Sequence, residues 1–274
     1  MLVLSGCSVE EVLRFGWPEG ITDRATSMRE LWTGSTLAAL AVGAVTWGAI
    51  FWACLRYRRR SDDLPRQTAY NLPVEITFVV IPFLIIGALF YFTVVSQNVV
   101  LAQSDDPDVT VDVTGFQWNW RFQYPEAPVT DTADVVTTVG NDVEVPILVL
   151  PAGQTVRFNL ASNDVIHSFW VPDFLFKRDV IPGINVGYDN DFEVTLAEDA
   201  EGAYVGRCAE LCGIYHYAMN FEVRVVSPAD FEDYLQARQG GDSNAAALDS
   251  IGQSPIATST SPFDTDRTRR SATN

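Results

Sequence analysis

The sequence predicts a protein of two parts: a two-helix transmembrane hairpin, then an all-β domain of sandwich or barrel type. Three observations carry this reading. Two long stretches lack any charged residue, 25 residues between Glu30 and Arg56 and 29 from Ile76 to Ser104. A series of short β-branched and aromatic segments, punctuated by Pro and Gly, follows them. The charge divides along the chain in the same way. The 274 residues hold 35 acidic and 18 basic side chains, a net of −17, and residues 97–238 alone hold 23 and 7, a net of −16.

The same figures exclude several classes. A nucleic-acid binder needs a basic surface, so no nucleic acid is expected as a partner. An apolar share of 47% is too high for a disordered chain. Four cysteines in this length are too few for a disulfide scaffold.

Residues 1–30 form an N-terminal segment. Within it, Leu4-Ser5-Gly6-Cys7 resembles a bacterial lipoprotein cleavage box, which would make Cys7 the lipidated first residue and a lipid anchor. Only six residues precede Cys7, fewer than an export signal needs. Residues 31–104 form the hairpin, because a bilayer core of ~30 Å takes ~20 residues of helix and both stretches exceed that. Arg56, Arg58, Arg59, Arg60 and Arg66 crowd the connecting loop against Asp62 and Asp63. Short Arg-rich loops stay cytoplasmic, so both termini and the β domain are expected on the outer side of a bacterial plasma membrane.

Residues 105–227 form the β domain. Asp108–Gln123 alternates as one strand, and further strands are expected at Val145–Leu150, Gln154–Leu160, Asp191–Leu196, Gly202–Cys208 and Asn220–Val226. Ala127–Asn141 has no strong pattern and reads as a surface insertion. Ser227-Pro228-Ala229-Asp230 suits a capped helix start, giving a C-terminal helix over 228–239. From Gly240 to Asn274 the chain is polar and aperiodic, and a tail that is flexible or laid over a partner is expected.

The chemistry concentrates between the last two strands, in Cys208-Ala209-Glu210-Leu211-Cys212-Gly213-Ile214-Tyr215-His216-Tyr217-Ala218-Met219. Thiolate, imidazole and thioether together are a ligand set that suits copper. The chain has only one other histidine, His167, so both are available to one site. A Cys208–Cys212 disulfide competes, as does structural zinc, which has no use for a thioether. A mononuclear blue-copper site leaves one thiolate unexplained. A dinuclear copper site uses all of them.

Cys-x-Glu-x-x-Cys-x-x-x-His-x-x-Met with an upstream His resembles subunit II of cytochrome c oxidase, the CuA-bearing subunit of the haem-copper oxidase family. The resemblance runs from about Leu31 to Arg238, hairpin included. It implies a cupredoxin-like Greek-key barrel and a dinuclear CuA centre held by His167, Cys208, Cys212, His216, Met219 and the backbone carbonyl of Glu210. It also implies a magnesium ion shared with subunit I at the Glu210 side chain, with Asp179 near the same boundary. Gly115-Phe116-Gln117-Trp118-Asn119-Trp120 matches the family's aromatic segment, which makes Trp118 the point where electrons arrive from cytochrome c. Glu75, in Leu72-Pro73-Val74-Glu75, matches a glutamate that opens a proton path from the cytoplasmic side. Asn119 stands where the family often has Tyr, and Phe78 and Phe169 stand where Trp is common.

The implied function is the electron-accepting subunit of a proton-pumping terminal oxidase. It passes electrons from cytochrome c to the haem of subunit I, where oxygen becomes water. Asp164, Asp189 and Glu198 are expected to steer the donor. Gly115–Phe122, the Phe174–Asp179 segment and the long tail look most like the actinobacterial branch, in which the donor can be a cytochrome c domain held in a neighbouring membrane complex. The donor expected here is a cytochrome c, soluble or tethered in a supercomplex with a cytochrome bc complex. A nitrous-oxide reductase would need a second, His-rich copper site, which two histidines rule out. A quinol oxidase subunit II lacks the copper ligands that are present here.

Overall fold

The fold is described from a computed structural model, covering residues 8–64, 67–129, 134–141, 143–183 and 190–260. Cys7, Arg66 and Asp189 lie outside these described residues. The chain separates into a helical unit and a β unit.

In the helical unit, a short helix α1 (Val9–Leu13) precedes the long helices α2 (Ala25–Arg56) and α3 (Leu72–Val100). Ser8 and Glu11 cap α1 reciprocally: Ser8 Oγ accepts from Glu11 N at 3.1 Å, and Ser8 N donates to Glu11 Oε2 at 2.6 Å. Trp17 stacks on Trp32 of α2 with ring centroids 4.9 Å apart. At 1.5 Å per residue, helices of 32 and 29 residues are about 48 and 44 Å long, enough to span the ~30 Å hydrocarbon core. Their apolar side chains stand exposed, Val45, Phe78 and Phe83 each by 74%. A helix that is apolar all round takes lipid or a protein interior as its solvent, and the chain is a membrane protein. The first long helix starts at Ala25, earlier than its charge-free stretch, because Arg29 and Glu30 are good helix formers and extend it toward the polar end.

The β unit holds ten strands: β1 (Val109–Phe116), β2 (Asn119–Pro128), β3 (Val135–Val139), β4 (Ile147–Pro151), β5 (Thr155–Ser162), β6 (His167–Val171), β7 (Phe176–Val180), β8 (Asp191–Thr195), β9 (Gly202–Cys208) and β10 (Asn220–Val226). They form two five-stranded sheets, ordered β3-β2-β1-β5-β8 and β4-β10-β9-β6-β7. The β1–β5 and β10–β4 pairs are parallel, so each sheet mixes hairpins with crossovers, as a Greek-key barrel requires. Val109, Val111 and Val113 turn inward in alternation. Phe158 stacks on Phe192 and Phe169 on Phe221 at 4.7 and 4.8 Å, and these rings with Trp120 and Phe122 fill the core. Each fully buried ring contributes about 1.5–3 kcal/mol.

Three expectations are corrected. Asp108–Gln123 is a hairpin rather than one strand, because Gln117 and Trp118 form a turn between β1 and β2. Part of the supposed insertion at 127–141 is β3, which pairs with β2 and buries Val136. Residues 240–260 of the tail are ordered. Helix α4 (Pro228–Gln239) is followed by α5 (Asn244–Ser250), whose Ala247 and Leu248 are fully buried. Beyond α5, the buried Arg224 and Glu222 of β10 bind residues 253–259.

Candidate metal centre

The centre is built where β9 ends and β10 begins. Cys208 is the last residue of β9, Met219 directly precedes β10, and Cys208 N donates to Met219 O at 3.1 Å, closing the intervening loop at its base. His167 opens β6, which pairs with β9 through Phe169 and Cys208. Topology therefore brings an imidazole 41 positions upstream to the first thiol.

Cys208 Sγ and Cys212 Sγ lie 3.9 Å apart. His167 Nδ1 is 3.9 Å from Cys208 Sγ, and His216 Nδ1 is 3.7 Å from Cys212 Sγ. Met219 Sδ lies 3.8 Å from Cys212 Sγ, and the Glu210 carbonyl oxygen 3.2 Å from Cys208 Sγ. His167, Cys208, Cys212 and Met219 are buried, His216 half-buried. A disulfide holds its sulfurs about 2.05 Å apart, so these are free thiols.

This donor set fits two metal ions. A metal–thiolate bond is about 2.3 Å, so sulfurs 3.9 Å apart are close enough for both to reach the same ion. One imidazole borders each thiol. Six donors exceed the four that a single tetrahedral ion takes, and the thioether favours copper.

Electrostatics points the same way. Burial raises the Cys208 thiol, but hydrogen bonding from His167 and nearby backbone outweighs it and brings the pKa down to about 7. Burial and the neighbouring Cys208 charge push Cys212 up to about 12. Burial disfavours a charged His167, yet the Cys208 thiol and the Asp164 carboxylate together hold its pKa above the usual imidazole value. Near neutral pH one thiol ionises and the other resists. A bound cation supplies the charge that lets both be thiolates.

The aromatic segment reaches the same loop. Trp120 is fully buried in the core, edge-on to His167 with centroids 6.1 Å apart. Trp118 is half-buried in the β1–β2 turn, edge-on to Tyr215, and its Nε1 donates to the Cys212 carbonyl at 3.1 Å. Gln117 Nε2 donates to the same oxygen at 2.8 Å. Gly213, at φ +126°, lets this pair approach: a Cβ there would sit 3.1 Å from the Trp118 ring.

The other expected residues stand as follows. Glu210 is half-buried on the loop, and Asp179 is exposed on β7 with Lys177 Nζ at 3.3 Å. Glu198 is exposed, whereas Asp164 is drawn into the centre through Oδ1, 2.8 Å from His167 Nε2. Glu75 belongs to the helical unit, in the first turn of α3, where its Oε1 accepts from Asn71 N at 3.0 Å. Sequence reasoning missed Gln117 and the contact between Asp164 and His167. The three-residue spacing of Asp164 and His167 was the available signal for the second.

Residues 109–226 match the family described as cytochrome C oxidase subunit II, periplasmic domain. A probable cytochrome c oxidase subunit 2 of Nocardia farcinica is 49% identical, covering 99% of this chain and 87% of the relative. Cytochrome c oxidase subunit 2 of Mycobacterium tuberculosis is 45% identical, covering 97% and 86%. A solved periplasmic domain of subunit II of cytochrome oxidase from Bradyrhizobium japonicum is 29% identical, covering 50% of this chain and 97% of that chain, with a TM-score of 0.40.

Proposed function

This chain belongs to the cytochrome c oxidase subunit II family, and we propose that it is the electron-accepting subunit of a proton-pumping haem-copper oxidase. It takes electrons from cytochrome c on the exported face and delivers them toward the haem of subunit I, where oxygen is reduced to water. The observation that carries this is the convergence of two thiols, two imidazoles, a thioether and a carbonyl about one pair of sulfurs.

His167, Cys208, Cys212, His216, Met219 and the Glu210 carbonyl would hold the dinuclear copper. When bound, it would supply a one-electron acceptor and donor. The chain's own residues do the rest. The buried side chains exclude water and keep the ligands in place across turnover. Trp118 receives the electron: its ring is half-exposed, and its N–H is bonded to the carbonyl of a ligand residue. The net charge of −16 over residues 97–238 attracts a basic donor, with Glu198 and Asp164 among the contributing carboxylates.

The Glu210 carboxylate binds magnesium jointly with subunit I. Magnesium demands six oxygens, so one carboxylate fits only as part of a shared site. Glu75 is the mouth of a proton path on the cytoplasmic side, where the Arg-rich loop also lies. Cys7 carries a lipid anchor on the outer side. The donor is a cytochrome c, soluble or held in a supercomplex with a cytochrome bc complex.

Copper stoichiometry tests the reading. The full chain in detergent, loaded with copper and desalted, should retain two ions per chain, and Cys212→Ser should lose that complement. One ion per chain, or the same two in Cys212→Ser, contradicts it.

A further inference from the structure

Asp164 makes contacts that a charge for long-range steering would not need. Its side chain is 30% exposed, and both oxygens are engaged. Oδ1 accepts from His167 Nε2 at 2.8 Å and from Val165 N at 2.7 Å, and Oδ2 accepts from Gln117 N at 2.6 Å. An ionised carboxylate only accepts, so Nε2 carries a proton, and in the neutral ring that a metal requires, Nδ1 is left as the lone-pair donor on the Cys208 side. The His167 side chain is 0% exposed, so the carboxylate bond, not bulk water, sets its tautomer. Gly115 completes the fit, since a Cβ there would lie 3.0 Å from His167 Cδ2.

The second oxygen acts on the other partner of the centre. Gln117 begins the turn that carries Trp118, and the side chains of both residues donate to the Cys212 carbonyl. A closed circuit of contacts runs from Asp164 through His167, Cys208 and Cys212 to the Gln117–Trp118 turn and back to Asp164. One carboxylate is thus bonded both to a copper ligand and to the residue beside the electron-receiving ring.

We propose that Asp164 is a positioning residue. It fixes the His167 ring for the metal and, with the same carboxylate, holds the Trp118 turn against the ligand loop. The inference rests on the dinuclear-copper reading above and assigns to one residue the registry between the metal ligands and Trp118. Groups that orient a metal-bound imidazole typically contribute about 10–100-fold to metal affinity.

The test uses the full chain in detergent, loaded with copper, as wild type, Asp164→Ala, Asp164→Asn and Glu232→Gln. Copper affinity is read by competition with a chelator, the centre by electron paramagnetic resonance, and its reduction potential by titration. Asp164→Ala should bind copper about 10–100-fold more weakly and change the hyperfine pattern. Asp164→Asn keeps an acceptor for His167 without the charge. It should retain copper at a raised reduction potential, because a neutral partner makes the imidazole a weaker donor to the oxidised metal. Glu232→Gln removes the same charge from an exposed position of α4 and should match wild type. Wild-type affinity, spectrum and potential in both Asp164 variants overturn the proposal, and weaker binding of cytochrome c alongside them (a raised Kd) makes Asp164 a docking charge alone. Should Asp164→Ala fail to fold, the potential of Asp164→Asn decides, an unchanged value overturning the proposal. Failure of the copper reading looks different: the wild type itself takes up no copper or gives a mononuclear spectrum.

Discussion

Removing the Glu222 carboxylate should detach the C-terminal strap and cost about 3–5 kcal/mol of stability, the range for breaking a buried ion pair by losing one partner. Glu222 is 0% exposed and Arg224 3%, side by side on the inner strand β10, and they pair directly. Glu222 Oε2 also accepts from Thr258 N and Ser259 N, each at 2.6 Å, and from Ser259 Oγ at 2.8 Å. Arg224 donates to Gln253 Oε1, Ser254 O and Ile256 O at 3.3–3.4 Å. In Glu222→Ala the guanidinium stays buried without its counter-charge, and three donors of the strap lose their acceptor. Those donors recover water only by peeling residues 253–260 off the sheet, which limits the loss to the range given. For a domain of this size the change is about 6–20 °C in Tm. Thermal unfolding of the full chain in detergent, followed by tryptophan fluorescence, reads it, and limited proteolysis should cut the freed strap sooner. Replacing both partners, as Glu222→Leu with Arg224→Met, should recover most of the loss, since no charge is left buried. A Tm within about 2 °C of wild type in Glu222→Ala, with an uncut strap, refutes the reasoning.

Three further outcomes follow from the same geometry. Gly213→Ala places a Cβ against Trp118 at a φ that L residues rarely adopt, so copper should stay bound while stopped-flow reduction by cytochrome c slows by about tenfold or more; an unchanged rate removes Trp118 from the path. Copper affinity should fall as pH falls, because both thiols must ionise, and should fall more steeply below about pH 7 where Cys208 is also protonated; chelator competition between pH 6 and 9 measures this, and a flat profile contradicts it. Turnover with a basic soluble cytochrome c should decline as salt screens the acidic face, whereas salt-independent turnover favours a tethered donor.

Much of this was legible in the sequence because the signals are local. Long charge-free stretches declare membrane helices without tertiary context, and the Cys208–Met219 loop places five of its donors within twelve residues. His167 was legible by scarcity, the chain having only two histidines. What stayed hidden depends on long-range packing. β7 carries Lys177, Arg178 and Asp179, which suit an edge strand but blur its alternation. β6 is only five residues long and begins with His and Ser, so its pattern is too short to read. The tail looked featureless because its anchors, Glu222 and Arg224, lie more than 25 positions upstream, inside a strand otherwise rich in valine. The paired tryptophans show the limit most clearly. They are two residues apart, yet Trp120 faces the core and Trp118 the ligand loop, a division set by where the β1–β2 turn falls.

The central claim is that two coppers share one electron between Cys208 and Cys212. Electron paramagnetic resonance of the oxidised, copper-loaded full chain tests it most directly. A seven-line hyperfine pattern, from one electron spread equally over two copper nuclei, is the result expected, and it should vanish in Cys212→Ser. A four-line pattern in the wild type would mean a single copper and contradict the account.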